Sequence, residues 1–246
     1  MLVSLRGARW LATLAACALI AGCASRPQLV PGPGAETVTP GGTIAKASAA
    51  DVTVTVDPDA WRGGVSIAHA VTPMHVRIEN NSGEKLAIRY RHFAMLAEDG
   101  ERFAALPPYE IRGTVAGGAP ARRYPPVDRL GFTYERFYVA PFYHFMYPGI
   151  AVYHAHPFFF DPFYYDGYYP HWSRVRTELP TPEMLRVALP EGVLDEGGVL
   201  AGFLYFEPVN PEASPVTFRA EIVDIVSGET MGTVTIPFVV RAAGED

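Results

Sequence analysis

Histidine supplies the residues of this chain best suited to chemistry by type and spacing. His154-Ala155-His156 puts two imidazoles on one side of any extended segment, because side chains alternate faces along a strand. His144 and His171 lie in the same stretch, with Asp161 and Asp166 between them. Imidazole and carboxylate together suit zinc or copper(II). Surface histidines bonded only to their neighbours show the same pattern, so a metal and a non-metal reading both stay open. Other groups offer less. Asp195-Glu196 is an acid pair whose side chains point apart in extended chain, and Asp57 and Asp59 flank Pro58 as turn formers. The chain holds no G-x-S-x-G, no P-loop, no H-E-x-x-H and no dinucleotide-binding glycine fingerprint. A protein that is not an enzyme is expected.

The stretch that must position those histidines is an aromatic insertion, residues 120–172. It contains ten of the 13 tyrosines and eight of the 14 phenylalanines. A loop of that length without regular structure is uncommon in a compact domain, and so many aromatic rings do not suit disorder. The rings must be buried somewhere. They could form a cover on the domain, a contact with an envelope protein or a bilayer, or a sugar-stacking face.

Around the insertion the chain reads as all-β. Val52, Val54 and Val56 alternate with threonines; Met74, Val76 and Ile78 repeat the pattern, and His75, out of phase, is expected to face solvent. His69 and His92 are assigned to this β body rather than to the insertion. Asn80-Asn81-Ser82-Gly83, Asp99-Gly100 and Ser227-Gly228 are turns. Thr181 and Pro182 open a short helix, and Val199–Phe206, Val216–Val226 and Val234–Arg241 are further strands. About seven such segments without helical periodicity imply an immunoglobulin-like antiparallel β-sandwich over residues 51–241, interrupted by the insertion. The segments Val76–Gly83 and Gly202–Phe206 resemble, loosely, those of uncharacterised bacterial envelope proteins with immunoglobulin-like domains, which implies the same fold and no particular activity.

The first residues are an address. Arg6 and Arg9 precede an apolar run of about eleven residues, too short to span a membrane. The run leads to Ile20-Ala21-Gly22-Cys23, which resembles the lipobox of bacterial lipoproteins. The resemblance implies a signal peptide over residues 1–22 and a diacylglycerol with an N-acyl chain on Cys23. Two or more chains make a stable anchor, with about 0.8 kcal/mol per buried CH₂. Ala24 and Ser25 carry no acid, which by the same resemblance implies sorting to an outer membrane in preference to an inner one. Residues 23–50, rich in Pro, Gly, Ala, Ser and Thr, are expected to be a flexible tether with a coil dimension of about 30 Å. Cys17 leaves with the leader and Cys23 is acylated, so the mature body has no thiol and no disulfide. The formal charge of −6, with no basic block, excludes a nucleic-acid binder. The function expected is a membrane-anchored, non-catalytic binding or structural module. The alternative is a periplasmic zinc or copper binding protein using His154, His156, His144 and His171.

Overall fold

A computed structural model describes residues 28–63, 65–113, 132–144, 147, 149–153 and 179–241. The fold is all-β, as the alternation predicts. The twelve strands among the described residues form one hydrogen-bonded sheet that nearly closes on itself, and every ladder in it is antiparallel.

The longest strand, β10 (Gly192–Phe206), organises the rest. One side pairs with β6 (Leu86–Ile88) and then β5 (Thr72–Asn80); the other pairs with β9 (Thr133–Val139) and then β8 (Arg102–Leu106). β5 continues into β4 (Val52–Asp57), β3 (Ala45–Ala49) and β2 (Glu36–Thr37). β8 continues into β7 (Phe93–Ala97), β11 (Val216–Val223), β12 (Thr230–Arg241) and β1 (Gln28–Pro31). Val52, Val54 and Val56 are fully buried, and Met74, Val76 and Ile78 almost so, facing Phe218, Ile236 and Phe238 in one continuous core. Two faces of alternating strands close on each other because each has an apolar side to remove from water.

β1 and β2 follow one another in the chain yet stand at opposite ends of the strand order. The turn between them crosses the seam: the Gly32 amide donates to the Pro237 carbonyl at 2.9 Å, and that of Ala35 to the Gly32 carbonyl at 3.1 Å. This corrects the expected tether. Residues 28–49 are strands and turns of the sheet, not a spacer, so the domain starts before Asp51. The small residues that suggested a coil are what a close approach requires. A Cβ on Gly232 would lie 3.3 Å from that of Ala49 across the seam. Any tether is confined to residues 24–27, outside the described residues.

A second, smaller core lies outside the sheet. Trp61 folds back edge-on to Phe203 and Tyr205 at 5.3 and 5.9 Å between ring centroids. It is joined by Ile67 of α1 (Val65–Ala70) and by Met184 and Val187 of α2 (Pro182–Val187). The Thr181 hydroxyl caps α2 by accepting the Met184 amide at 3.2 Å, with Pro182 at its first position. His75 departs from expectation: half-buried, it stands 5.3 Å from the Phe203 ring, and burial holds its pKa below the ordinary histidine value. Val226, expected inside a strand, is 67 % exposed, because β11 ends at Val223 and turns through Asp224.

Candidate functional site

The most chemically loaded place in the described molecule is where the insertion joins the sheet. Part of the insertion is a strand and not a loop: β9 lies along β10, with Val139 opposite Gly192 and Thr133 opposite Ala201. Gly192 fits between β6 and β9 because any side chain there would collide with the Tyr138 carbonyl and the Phe137 ring. Beyond β9 a turn, Pro141–Tyr143, sends Tyr143 and then Tyr147 into the main core. The rings of Tyr143 and Tyr147 stack at 6.4 Å, and Tyr147 meets Phe132 edge-on at 5.0 Å. The Tyr147 hydroxyl donates to the Leu185 carbonyl at 2.8 Å. The described insertion thus hides much of its aromatic surface, and Tyr134 is its one large apolar residue on the described surface, 39 % exposed.

Glu191 is the centre of the joint. It immediately precedes β10 and is fully buried. Its Oε1 accepts the Tyr90 amide at 2.9 Å, and its carbonyl accepts the amide of Ala140, from the insertion, at 3.1 Å. Burial pushes its carboxyl up to about 7, opposed by the Tyr90 amide, by the charges of Arg89 and Arg91, and least by the Tyr143 hydroxyl. Glu191 Oε2 makes no hydrogen bond of regular geometry, in keeping with that last influence being the weakest.

Arg89, Tyr90, Arg91 and His92 come from one short break between β6 and β7, a 3₁₀ turn over Tyr90–His92. Arg89 is as buried as Glu191. The Tyr90 hydroxyl donates to the Leu189 carbonyl at 2.6 Å. His92 bonds the Ala87 carbonyl through Nδ1 at 3.0 Å; burial drives its pKa down to about 4, against that bond and with help from Arg91 and Arg89. The Tyr143 hydroxyl reaches that of Tyr109 at 3.5 Å, and burial, seconded by Glu191, holds it well above the ordinary tyrosine value. It therefore stays protonated. The cluster offers one carboxyl able to exchange a proton near neutrality, ringed by phenols and guanidinium groups.

Asn80 pins the neighbouring irregularity. Its side-chain amide donates to the carbonyls of Leu194, Asp195 and Glu84 at 3.1, 3.0 and 2.8 Å. It thereby holds the register shift in β10 between Leu194 and Val199, where Asp195 pairs with Lys85 at 2.9 Å.

Cys23, His154, His156, His171, Asp161 and Asp166 lie outside the described residues. His144 is exposed at the end of the Tyr143 turn, and among the described residues no three potential ligands gather as a metal group. Asp57 and Asp59 form the turn expected of them, with the Asp59 amide on Asp57 Oδ1 at 3.0 Å. Sequence reasoning missed Glu191 and Arg89. The available signal was a charged Arg-Tyr-Arg-His run breaking an apolar alternation and a lone acid directly before an apolar strand. Comparison with protein-family models, with curated proteins and with solved structures gave no match.

Proposed function

We propose that the protein is a lipid-anchored envelope lipoprotein, a non-catalytic binding or structural module whose contacts run through the aromatic insertion. The leader ending in Ile20-Ala21-Gly22-Cys23 supports the anchor, and Ala24-Ser25 supports the outer membrane as its place. Among the described strands one ladder, the two residue pairs joining β8 to β10, links the sheet's two halves, with a single bridge from Leu86 to Asp224 at the other end, which supports reading the domain as an immunoglobulin-like sandwich. The observation that carries the functional reading is the rooting of the insertion. β9, Tyr143 and Tyr147 tie it to the main core, and its return point is also fixed. Leu179 is fully buried, and its Cδ1 would lie 3.8 Å from a Cβ on Gly113, where the chain leaves β8's side of the fold. Residues 154–178, with Phe158-Phe159-Phe160 and Tyr164-Tyr165, are thus flanked on both sides by fixed backbone. Rings with one apolar and one hydrogen-bonding end suit protein interfaces and lipid headgroups.

Two experiments test the reading. Cys23→Ser moves the protein from the membrane pellet to the soluble fraction; retention in the pellet would refute the anchor. Deletion of residues 154–178 keeps β9 and the Glu191 joint, and is expected to abolish crosslinks to other envelope proteins in intact cells. An unchanged crosslinking pattern would refute the contact role.

A further inference from the structure

We propose that the end of the sheet carrying Gln28 and Arg241 is the face the protein turns to a phospholipid bilayer, an inference that rests on acylation of Cys23. β1 begins with Gln28 opposite Arg241, and Leu29 beside it is buried. The chain is therefore committed to the fold within five residues of Cys23. A chain spans at most about 3.6 Å per residue, so Gln28 lies within about 18 Å of the Cys23 backbone. A compact domain of this size is about 40 Å across. The leash is shorter than half the domain, so the domain cannot stand inverted, with the opposite end on the headgroups and Gln28 uppermost.

Strand register identifies what shares that end. Phe206 pairs with Thr72, Val56 with Ala45, and Val216 with both Phe238 and Ala97. α1 and the loop after Phe206 therefore lie with Gln28. The turns at Asn80–Lys85 and Asp224–Glu229 lie at the other end, where Val52 pairs with Asn80 and Val223 with Thr230. Beside Gln28 is a shallow depression lined by Leu29, Pro58, Ala68, Thr72, Pro73 and Val240, its exposed surface as polar as it is apolar. Exposed Arg62 and Arg241 share this end with exposed Glu207 and Glu212 and with the turn that carries exposed Glu98, Asp99 and Glu101. Acids outnumber bases here, so the leash, and not electrostatic attraction to phospholipid, sets the orientation. It is therefore insensitive to salt.

The mature chain has no cysteine besides the acylated one, so an introduced thiol is unique. His69→Cys and Val226→Cys, both at exposed positions, are labelled with a donor fluorophore on the full-length acylated protein. The protein is then reconstituted into phosphatidylcholine vesicles containing an acceptor lipid. Energy transfer from position 69 is expected to exceed that from 226 by at least about twofold, given a reach of about 18 Å against a domain of about 40 Å. The difference persists in molar salt, and it collapses when a long Gly/Ser segment is inserted between Ser25 and Arg26. Equal transfer from both positions of an acylated protein would overturn this inference alone. Mass spectrometry showing no acyl glycerol on Cys23 would overturn the anchor and the inference together.

Discussion

The core of the sheet and the joint of the insertion hold the same chain together by different physics. In the core, Val54, Ile78, Phe218, Ile236 and Phe238 belong to one buried apolar cluster, and the stabilisation is apolar area removed from water. At the joint, a carboxyl, a guanidinium group, an imidazole and three phenols are buried together, and each needs a partner to offset lost hydration. The first kind of packing is indifferent to pH. The second is not.

The largest expected effect tests the core. Phe218→Ala leaves a cavity beneath Phe93 and Phe206, whose rings stand 6.5 and 6.0 Å from it, and is expected to cost about 3–5 kcal/mol in urea unfolding. The whole sheet should unfold in one transition. A cost below about 1 kcal/mol would mean that the core is not continuous across the two halves.

The next prediction is of pH dependence and concerns the joint. Glu191 is raised from 4.5 to about 7, so its contribution is full below pH 4.5 and is lost as pH rises towards 7. His92 is lowered from 6.5 to about 4, so its contribution is full above pH 6.5 and is lost as pH falls towards 4. Each is worth about 3 kcal/mol, with opposite sign, and over their shared window they cancel. The parent protein should therefore show nearly flat stability from about pH 4.5 to 6.5. Glu191→Gln should leave stability that climbs with pH across that window, and His92→Asn stability that declines. Parallel curves for parent and both variants would show that neither group is buried as described.

The smallest effect separates joint from core. Tyr147→Phe removes the hydroxyl that bonds the Leu185 carbonyl and is expected to cost about 1 kcal/mol. Limited proteolysis should show the insertion cut faster while the sheet stays intact. Faster cutting of the sheet would mean that insertion and core are one cooperative unit.

Alternation made most strands legible in the sequence. Val52 to Val56, Met74 to Ile78 and Phe218 to Ile222 bury every second residue as read, because a strand with one wet face must repeat every two residues. Thr181-Pro182 announced its helix for an equally local reason, a hydroxyl cap followed by a preset φ. β1 to β3 were not legible, since their alanines, glycines and prolines also describe a coil. Only the facing edge of β12 makes small size an advantage. β9 was hidden in the same way: Thr133 to Arg136 are all exposed, so its first half has no apolar phase, and its place is set by β10.

The amino-acid sequence by itself determined the β class, the turns, the absence of cysteine beyond residue 23 and the grouping of aromatics into one segment. These follow from residue type and near-neighbour spacing. Tertiary structure alone decided that residues 28–37 sew the sheet's two ends together, that β10 serves strands on both sides, and that Glu191 sits with Arg89 and Tyr143. Those contacts join residues far apart in the chain, and a carboxylate's burial depends on what folds over it, which no local pattern encodes.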